Sequence, residues 1–116
     1  MYYELRYIVN KHMARKHKAG PASDPELLIL ASLAAGSKHG YAIMSDIEAF
    51  SGVAVGPGTL YTAITRLVEK KLIVPKASPG RQRPYELTRN GANQLATQLK
   101  EMQHVASAGL ERLRLV

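Results

Sequence analysis

The chain has 116 residues, 46% of them hydrophobic, which suits one domain with a buried core. Lysine and arginine number 16 against 9 acidic residues, and the formal net charge of +7 favours a polyanionic partner, nucleic acid before an anionic membrane surface. There is no cysteine, so disulfides, thiol nucleophiles and cysteine-based zinc sites are excluded.

Residues 1–22 are predicted to form an amphipathic, basic N-terminal helix followed by a linker. Apolar residues recur at helical spacing from Tyr2 to about Lys18, and Gly20-Pro21 ends the pattern. Two interpretations are open: the helix packs on the body of the protein or on a partner subunit, or it is an arm that touches DNA.

Residues 23–88 are predicted to form the main domain, which begins with two helices. Asp24 is a suitable N-cap with Pro25 at the first helical position, and the apolar run that follows, up to Gly36, predicts a central core helix. A second helix is predicted from about Tyr41 to Phe50, and Ser51-Gly52 is predicted to end it. The residues expected to face inward on it are Ile43, Met44, Ile47 and Phe50.

The third helix carries the most information about function. It follows the turn-and-cap cluster Gly56-Pro57-Gly58-Thr59, and its apolar residues form one stripe between Leu60 and Lys71. The opposite face has small hydrogen-bonding side chains rather than a run of lysines, and such a face suits contact with a crowded polar surface. Its residues are Thr59, Thr62, Thr65, Arg66 and Glu69, with Tyr61 at the boundary.

After the third helix the hydrophobic period changes to two. Leu72 to Pro75 and Tyr85 to Leu87 are predicted strands, and they flank a basic loop, Lys76 to Pro84, that contains glycine and proline. Helices followed by a basic hairpin predict a mainly α fold with a small two-stranded wing, a winged helix-turn-helix.

Residues 89–116 are predicted to form one long C-terminal helix with Thr88 as its N-cap. Its apolar residues alternate in spacings of three and four, which is a heptad seam. The seam consists of Leu95, Leu99, Met102, Ala106, Gly109 and Leu113. The helix either folds back on its own domain or pairs with a second chain; we favour a homodimer, since the chain has little else to cover the seam.

From Leu28 to Leu95 the sequence resembles the PadR family of bacterial winged-helix repressors, in its short subfamily with a single C-terminal helix. The resemblance is carried by motifs in the family's order and spacing. They are Leu28-Ile29-Leu30-Ala31-Ser32-Leu33, His39-Gly40-Tyr41-Ala42-Ile43, Gly58-Thr59-Leu60-Tyr61, Ile64-Thr65-Arg66-Leu67 and Arg83-Pro84-Tyr85-Glu86-Leu87-Thr88-Arg89-Asn90-Gly91. One departure is Lys71, where the family usually has glycine; a side chain in that left-handed position costs about 1 kcal/mol or forces a different helix end.

The second helix of a helix-turn-helix enters the major groove with its N-terminus first. Here that end is Gly56-Pro57-Gly58-Thr59, whose glycines leave backbone N–H groups free to approach a phosphate. The threonines reach phosphate or base edges, and Arg66 is the best candidate for a bidentate guanine contact. The resemblance implies that Tyr41 and Tyr61 contact phosphates; the alternative is that both rings are buried. The basic residues of the wing are expected to flank the DNA backbone, and the alternative for them is a hairpin that is only solvated. The predicted DNA-binding residues are Tyr41, Pro57, Gly58, Thr59, Tyr61, Thr62, Thr65, Arg66, Lys76, Arg81 and Arg83.

The function predicted on these grounds is transcription regulation, most simply as a homodimeric repressor on a pseudo-palindromic duplex operator. The resemblance also implies release by a small-molecule effector at the dimer interface, and a ligand sensor with DNA release as its readout is a related hypothesis. The alternative from another class is a winged-helix module that binds an acidic protein partner. We expect no enzyme, cofactor or metal, because the acidic residues are scattered over separate elements and the four histidines lack metal-ligand spacing. The lack of a signal peptide or membrane span predicts a cytoplasmic protein.

Overall fold

The protein is described by a computed structural model that covers residues 20–114. The predicted helix from Tyr2 to Lys18 lies outside the described residues, as do residues 115 and 116. The C-terminal helix was predicted over residues 89–116, but it ends at Arg112. After a short 3-10 turn at Pro21–Ser23, the elements are α1 (Pro25–Ala34), α2 (Gly40–Ser51), α3 (Pro57–Glu69), β1 (Ile73–Pro75), β2 (Tyr85–Leu87) and α4 (Arg89–Arg112).

Helix α1 is the centre of the core, as its all-round apolar sequence predicted. It contacts α2, α3, α4 and β2. The carboxylate of Asp24 caps it by accepting the backbone N–H of Glu26 at 3.2 Å, and Pro25 opens the helix. Its buried polar residue, Ser32, donates its hydroxyl to Oδ2 of Asp46 on α2 at 2.6 Å, so the group is satisfied without water.

Helices α2 and α3 form the helix-turn-helix. Gly52, with φ 76°, ends α2 in the left-handed conformation that glycine adopts without steric cost. Ile43 and Ile47 are fully buried, and Met44 packs against the core. The expectation that Phe50 faces inward was wrong: it is 49% exposed, and it lies in the last turn of α2, whereas the fully buried residues come from the middle of the helix.

The wing is an antiparallel pair in which Ile73 lies opposite Leu87 and Pro75 opposite Tyr85. A third segment joins it: the backbone of Lys38 exchanges two hydrogen bonds with Tyr85, at 2.8 and 3.2 Å. Because Lys38 lies between α1 and α2, these bonds attach the wing directly to the helix-turn-helix. Lys71, which precedes β1, has φ 62°, so the left-handed position is kept with a lysine in it.

Helix α4 begins at the predicted cap, where the hydroxyl of Thr88 accepts the N–H of Gly91 at 3.0 Å. Leu95 is 5% exposed within the single chain and belongs to the domain core. Its assignment to the dimer interface is therefore corrected, because its side chain is already covered by its own domain. Further along, Leu99 and Leu113 are exposed, and so are Val105 and Leu110, which the heptad pattern did not single out.

Within residues 20–114, no helix combines the length and the apolar character needed to cross a bilayer.

Candidate nucleic-acid interface

Helix α3 has one covered face and one open face. Leu60, Ala63, Ile64 and Leu67 are buried, which confirms the predicted stripe. The open face exposes the predicted polar residues, which are Thr59, Tyr61, Thr62, Thr65 and Arg66. Three threonines and an arginine are therefore accessible on the open face.

The N-terminus of α3 has free backbone donors. Gly56 is the N-cap, and no side chain of the described residues caps the first turn. Pro57 has no N–H, and Gly58 is exposed with open space where a Cβ would stand. The exposed N–H groups of the first turn can therefore approach an anion closely.

One edge of the open face lies beside the N-terminus of α1. Thr59, Thr62 and Arg66 line a groove of about 480 Å³ there, together with Asp24 and Glu26. The carboxylate of Glu26 is held by Nζ of Lys70 at 2.8 Å, and within the described chain Arg66 has no salt-bridge partner. Its guanidinium thus keeps its donors available although two acids stand nearby.

Thr65 lies between the two edges of the open face, and its hydroxyl already makes one hydrogen bond within the helix. It donates to the carbonyl oxygen of Tyr61, one turn earlier, at 2.9 Å. The proton is used within the helix, so Thr65 can offer a ligand the acceptor lone pairs and the methyl group.

The opposite edge of α3 carries Tyr61, which lies against the start of α2. A Cβ on Gly40 would collide with the hydroxyl and Cζ of Tyr61, so the ring packs directly on the glycine backbone. Tyr61 is still 48% exposed, and Tyr41 is 68% exposed. The interpretation of these residues as buried rings is therefore excluded.

The wing approaches α3 on the same edge as Tyr61. Arg81 and Arg83 line a cleft of about 280 Å³ with Tyr41 and Tyr61. Four predicted residues from α2, α3 and the loop between the strands are thereby brought together. Lys76 is not among the residues that line this cleft, and its Nζ pairs with Oε2 of Glu86 at 3.3 Å on the wing itself.

Four further residues line this cleft and were not among the predicted site residues; they are His39, Gly40, Gln82 and Tyr85. His39 stands directly before the Gly40-Tyr41 pair of the family motif and caps α2, with Nδ1 accepting the N–H of Ala42 at 3.3 Å. The position of His39 in the family motif could have indicated that it belongs to the site. For Gln82 the sequence offers no indication except its position between the two wing arginines.

The fold and the sequence both match known regulators. The model of the transcriptional regulator PadR-like family matches residues 29–97. A PadR family transcription regulator from a hypervirulent Clostridium difficile strain aligns with a TM-score of 0.68 and 26% identity over 77% of this chain and 97% of that chain. A PadR-like transcriptional regulator from Bacillus cereus aligns with a TM-score of 0.66 and 25% identity over 76% of this chain and 89% of that chain.

A curated relative is similar over a comparable stretch. It is an uncharacterized 37.1 kDa protein in a transposon of Streptomyces fradiae, 42% identical over 89 residues, which are 77% of this chain. The match spans only 26% of the relative's own length. The family match, by contrast, covers more than half of this chain and includes every predicted DNA-binding residue from Tyr41 to Arg83. The chain belongs to the PadR-like family of transcriptional regulators, which are not enzymes.

Proposed function

We propose that the protein regulates transcription by binding duplex DNA, with α3 in the major groove. The observation that supports this best is the open face of α3, flanked at its Tyr61 edge by the arginines of the wing. A helix that presents hydrogen-bonding side chains, with a basic hairpin beside it, fits one groove of DNA and the adjoining backbone.

Within this proposal the residues of α3 read the bases. Arg66 donates two hydrogen bonds to a guanine, and Thr59 and Thr62 contact phosphate or base edges near the N-terminus of the helix. Pro57 and Gly58 place the first turn against a phosphate. Thr65 adds its methyl group or an acceptor, since its proton is used by Tyr61.

The remaining predicted residues position the protein on the backbone. Tyr41, Tyr61, Arg81 and Arg83 contact phosphates around one cleft, which fixes the angle at which α3 enters the groove. Lys76 contacts a phosphate farther along the wing. To do so it leaves Glu86, and an exposed pair of this kind contributes no more than about 1 kcal/mol.

We also propose that α4 pairs two copies of the chain. Residues 23–88 are then the DNA-binding domain and residues 89–116 the dimerisation segment, whose helix is α4. The proposed contacts are Leu99, Met102, Ala106, Gly109 and Leu113, without Leu95. A two-fold dimer presents two copies of α3 to half-sites about 34–36 Å apart, which corresponds to a pseudo-palindromic operator.

Repression and release by a small molecule held between the two copies complete the proposal. A regulator that covers its operator blocks transcription by occupancy, and a ligand that alters the dimer separates the two copies of α3 from their half-sites. A thermal-shift screen followed by DNA binding tests this part: an effector raises the melting temperature and lowers DNA affinity.

The experiment that tests the function is a mobility-shift titration of the purified protein on the DNA upstream of its own gene and on a duplex of unrelated sequence. The proposal expects a preference for one symmetric site and a steep loss of affinity with added salt, because bound phosphates release counterions. Equal binding to both duplexes, or none at physiological salt, contradicts it. Absence of DNA binding together with capture of an acidic protein supports a protein-binding module instead.

A further inference from the structure

The wing and the helix-turn-helix enclose a cleft whose lining is basic and aromatic. We call it the wing-root cleft; its main lining residues are His39, Gly40, Tyr41, Tyr61, Arg81 and Arg83, and its volume is about 280 Å³. Among residues 20–114, no carboxylate lines it. The groove on the other edge of α3, by contrast, is lined by Asp24 and Glu26 as well as by Arg66.

The two arginines of the cleft have no counter-charge from the described chain. The ion pairs between residues 20 and 114 use Lys38, Lys70 and Lys76, and neither guanidinium takes part. An arginine with free donors can bind two acceptor oxygens of one anionic group at the same time. The two non-bridging oxygens of a phosphodiester meet that requirement.

His39 contributes a donor whose direction is set by the fold. Its Nδ1 accepts the backbone N–H of Ala42 at 3.3 Å and therefore carries no proton in this arrangement. A neutral imidazole with an unprotonated Nδ1 has its proton on Nε2. Because His39 also lines the cleft, Nε2–H is the donor that this side chain can offer to a ligand there.

Gly40 allows a second polar group to reach the same place. Because residue 40 has no Cβ, the phenol of Tyr61 packs on its backbone, next to His39. A histidine from the start of α2 and a tyrosine from α3 therefore share one cleft with the arginines of the wing. These residues come from three separate parts of the chain, and a ligand that contacts all of them sets the position of the wing relative to α3.

We propose that the wing-root cleft is the seat of one phosphodiester group of the DNA backbone, and that His39 binds this phosphate by donating Nε2–H to one of its oxygens. The proposal rests on the proposed function and adds to it a residue and a defined ligand position. The contact acts on every DNA sequence alike, because phosphates carry no base information.

The test is the substitution His39→Asn in the full chain. Asparagine is among the best N-caps, so it keeps the acceptor for the N–H of Ala42, but its short side chain does not carry a donor to the position of Nε2. We expect an unchanged melting temperature and an affinity about tenfold lower on both the upstream DNA and an unrelated duplex, as for a lost hydrogen bond to a charged group. His104→Asn, on the exposed surface of α4, is the matched control and leaves DNA affinity unchanged.

The possible results distinguish the proposed role of His39 from the proposed DNA-binding function. If H39N binds both duplexes as the unchanged protein does, while Arg83→Ala weakens binding, the role of His39 is refuted and the DNA-binding function stands. If the unchanged protein binds no duplex, the function itself fails.

A second measurement does not depend on the folding of a variant. In ¹⁵N NMR spectra of the unchanged protein, His39 is expected to show an unprotonated Nδ1 and a protonated Nε2, and the Nε2 signal shifts when a duplex is added. A proton on Nδ1, or imidazole signals that saturating DNA leaves in place, overturns the proposal.

Discussion

The hydroxyl of Thr88 lies 2.8 Å from the carbonyl oxygen of Lys71, to which it donates, and it accepts the N–H of Gly91 at 3.0 Å. The backbone N–H of Thr88 also bonds to the carbonyl of Leu72 at 3.0 Å. One residue therefore ends the wing, caps α4 and holds the turn in which Lys71 adopts φ 62°. The side chain and backbone of Thr88 thus join the residues just before β1 to the first turn of α4.

Replacing Lys71 by glycine should relieve the left-handed backbone. A side chain in this conformation costs about 1–2 kcal/mol, and part of the relief is lost because glycine is more flexible in the unfolded chain. We expect Lys71→Gly to raise the free energy of unfolding in urea by about 0.5–1 kcal/mol. The control is Lys71→Ala, which removes the side chain but keeps the strain. A glycine variant no more stable than the alanine variant would contradict the explanation.

Replacing Thr88 by valine keeps the shape of the side chain and removes both hydrogen bonds. We expect Thr88→Val to lower the free energy of unfolding by about 1–2 kcal/mol, since the cap of α4 and the partner of Lys71 are lost together. Thr88→Ser retains the hydroxyl and should stay close to the unchanged protein. Thermal or urea unfolding distinguishes the two; equal stability of valine and threonine would show that the junction is held by packing alone.

Gly91 is required by close contact rather than by its backbone angles. A Cβ at this position would overlap the carbonyl oxygen of Leu72, which is backbone and cannot swing away. Gly91→Ala should therefore destabilise the fold by more than about 2 kcal/mol, within the range of overpacked core positions. In the same helix, Gly109 has open space around its missing Cβ, and Gly109→Ala should be better tolerated because alanine favours helix. Unfolding curves that rank the two variants in the reverse order would refute this account.

The exposed apolar stripe of α4 is tested by placing a charge on it. Leu99→Glu should shift the protein from dimer to monomer in sedimentation velocity runs, because a carboxylate in an apolar interface loses its hydration. Thr97→Glu adds the same charge on another exposed face of the helix and should leave the association unchanged. The dimer proposal fails if L99E sediments like the unchanged protein, and the assigned face is wrong if T97E dissociates equally.

Substitutions of Arg66 and Lys76 should lower DNA affinity with a different dependence on the DNA sequence. Arg66→Ala is expected to cost about 1–3 kcal/mol on the preferred site and much less on unrelated DNA, since a bidentate guanine contact is specific. Lys76→Ala should weaken binding to both duplexes equally and reduce the slope of affinity against salt by about one. Mobility-shift titrations at two salt concentrations measure both effects. An equal loss on both duplexes for R66A would reject its role in base recognition.

Much of the fold could be predicted because it depends on residues close together in the chain. The caps at Asp24 and Thr88 and the helix end at Gly52 each involve bonds within a few residues, so local sequence is sufficient for them. The covered stripe of α3 was predictable for the same reason, since helical periodicity shows which face is buried. The family motif likewise indicated a left-handed backbone at Lys71, where the structure has it.

What covers a predicted face was decided only by the tertiary structure. Periodicity placed Leu95 on the seam of α4, but the packing of the helices buries Leu95 in the core of its own domain. The same packing leaves Phe50 exposed at the end of α2. His39 and Arg83, which are far apart in sequence, line one cleft because the backbone of Lys38 pairs with Tyr85 and joins the wing to the start of α2. Contacts of this kind follow from the angles between helices and from pairing across long loops, which no local pattern of residues encodes.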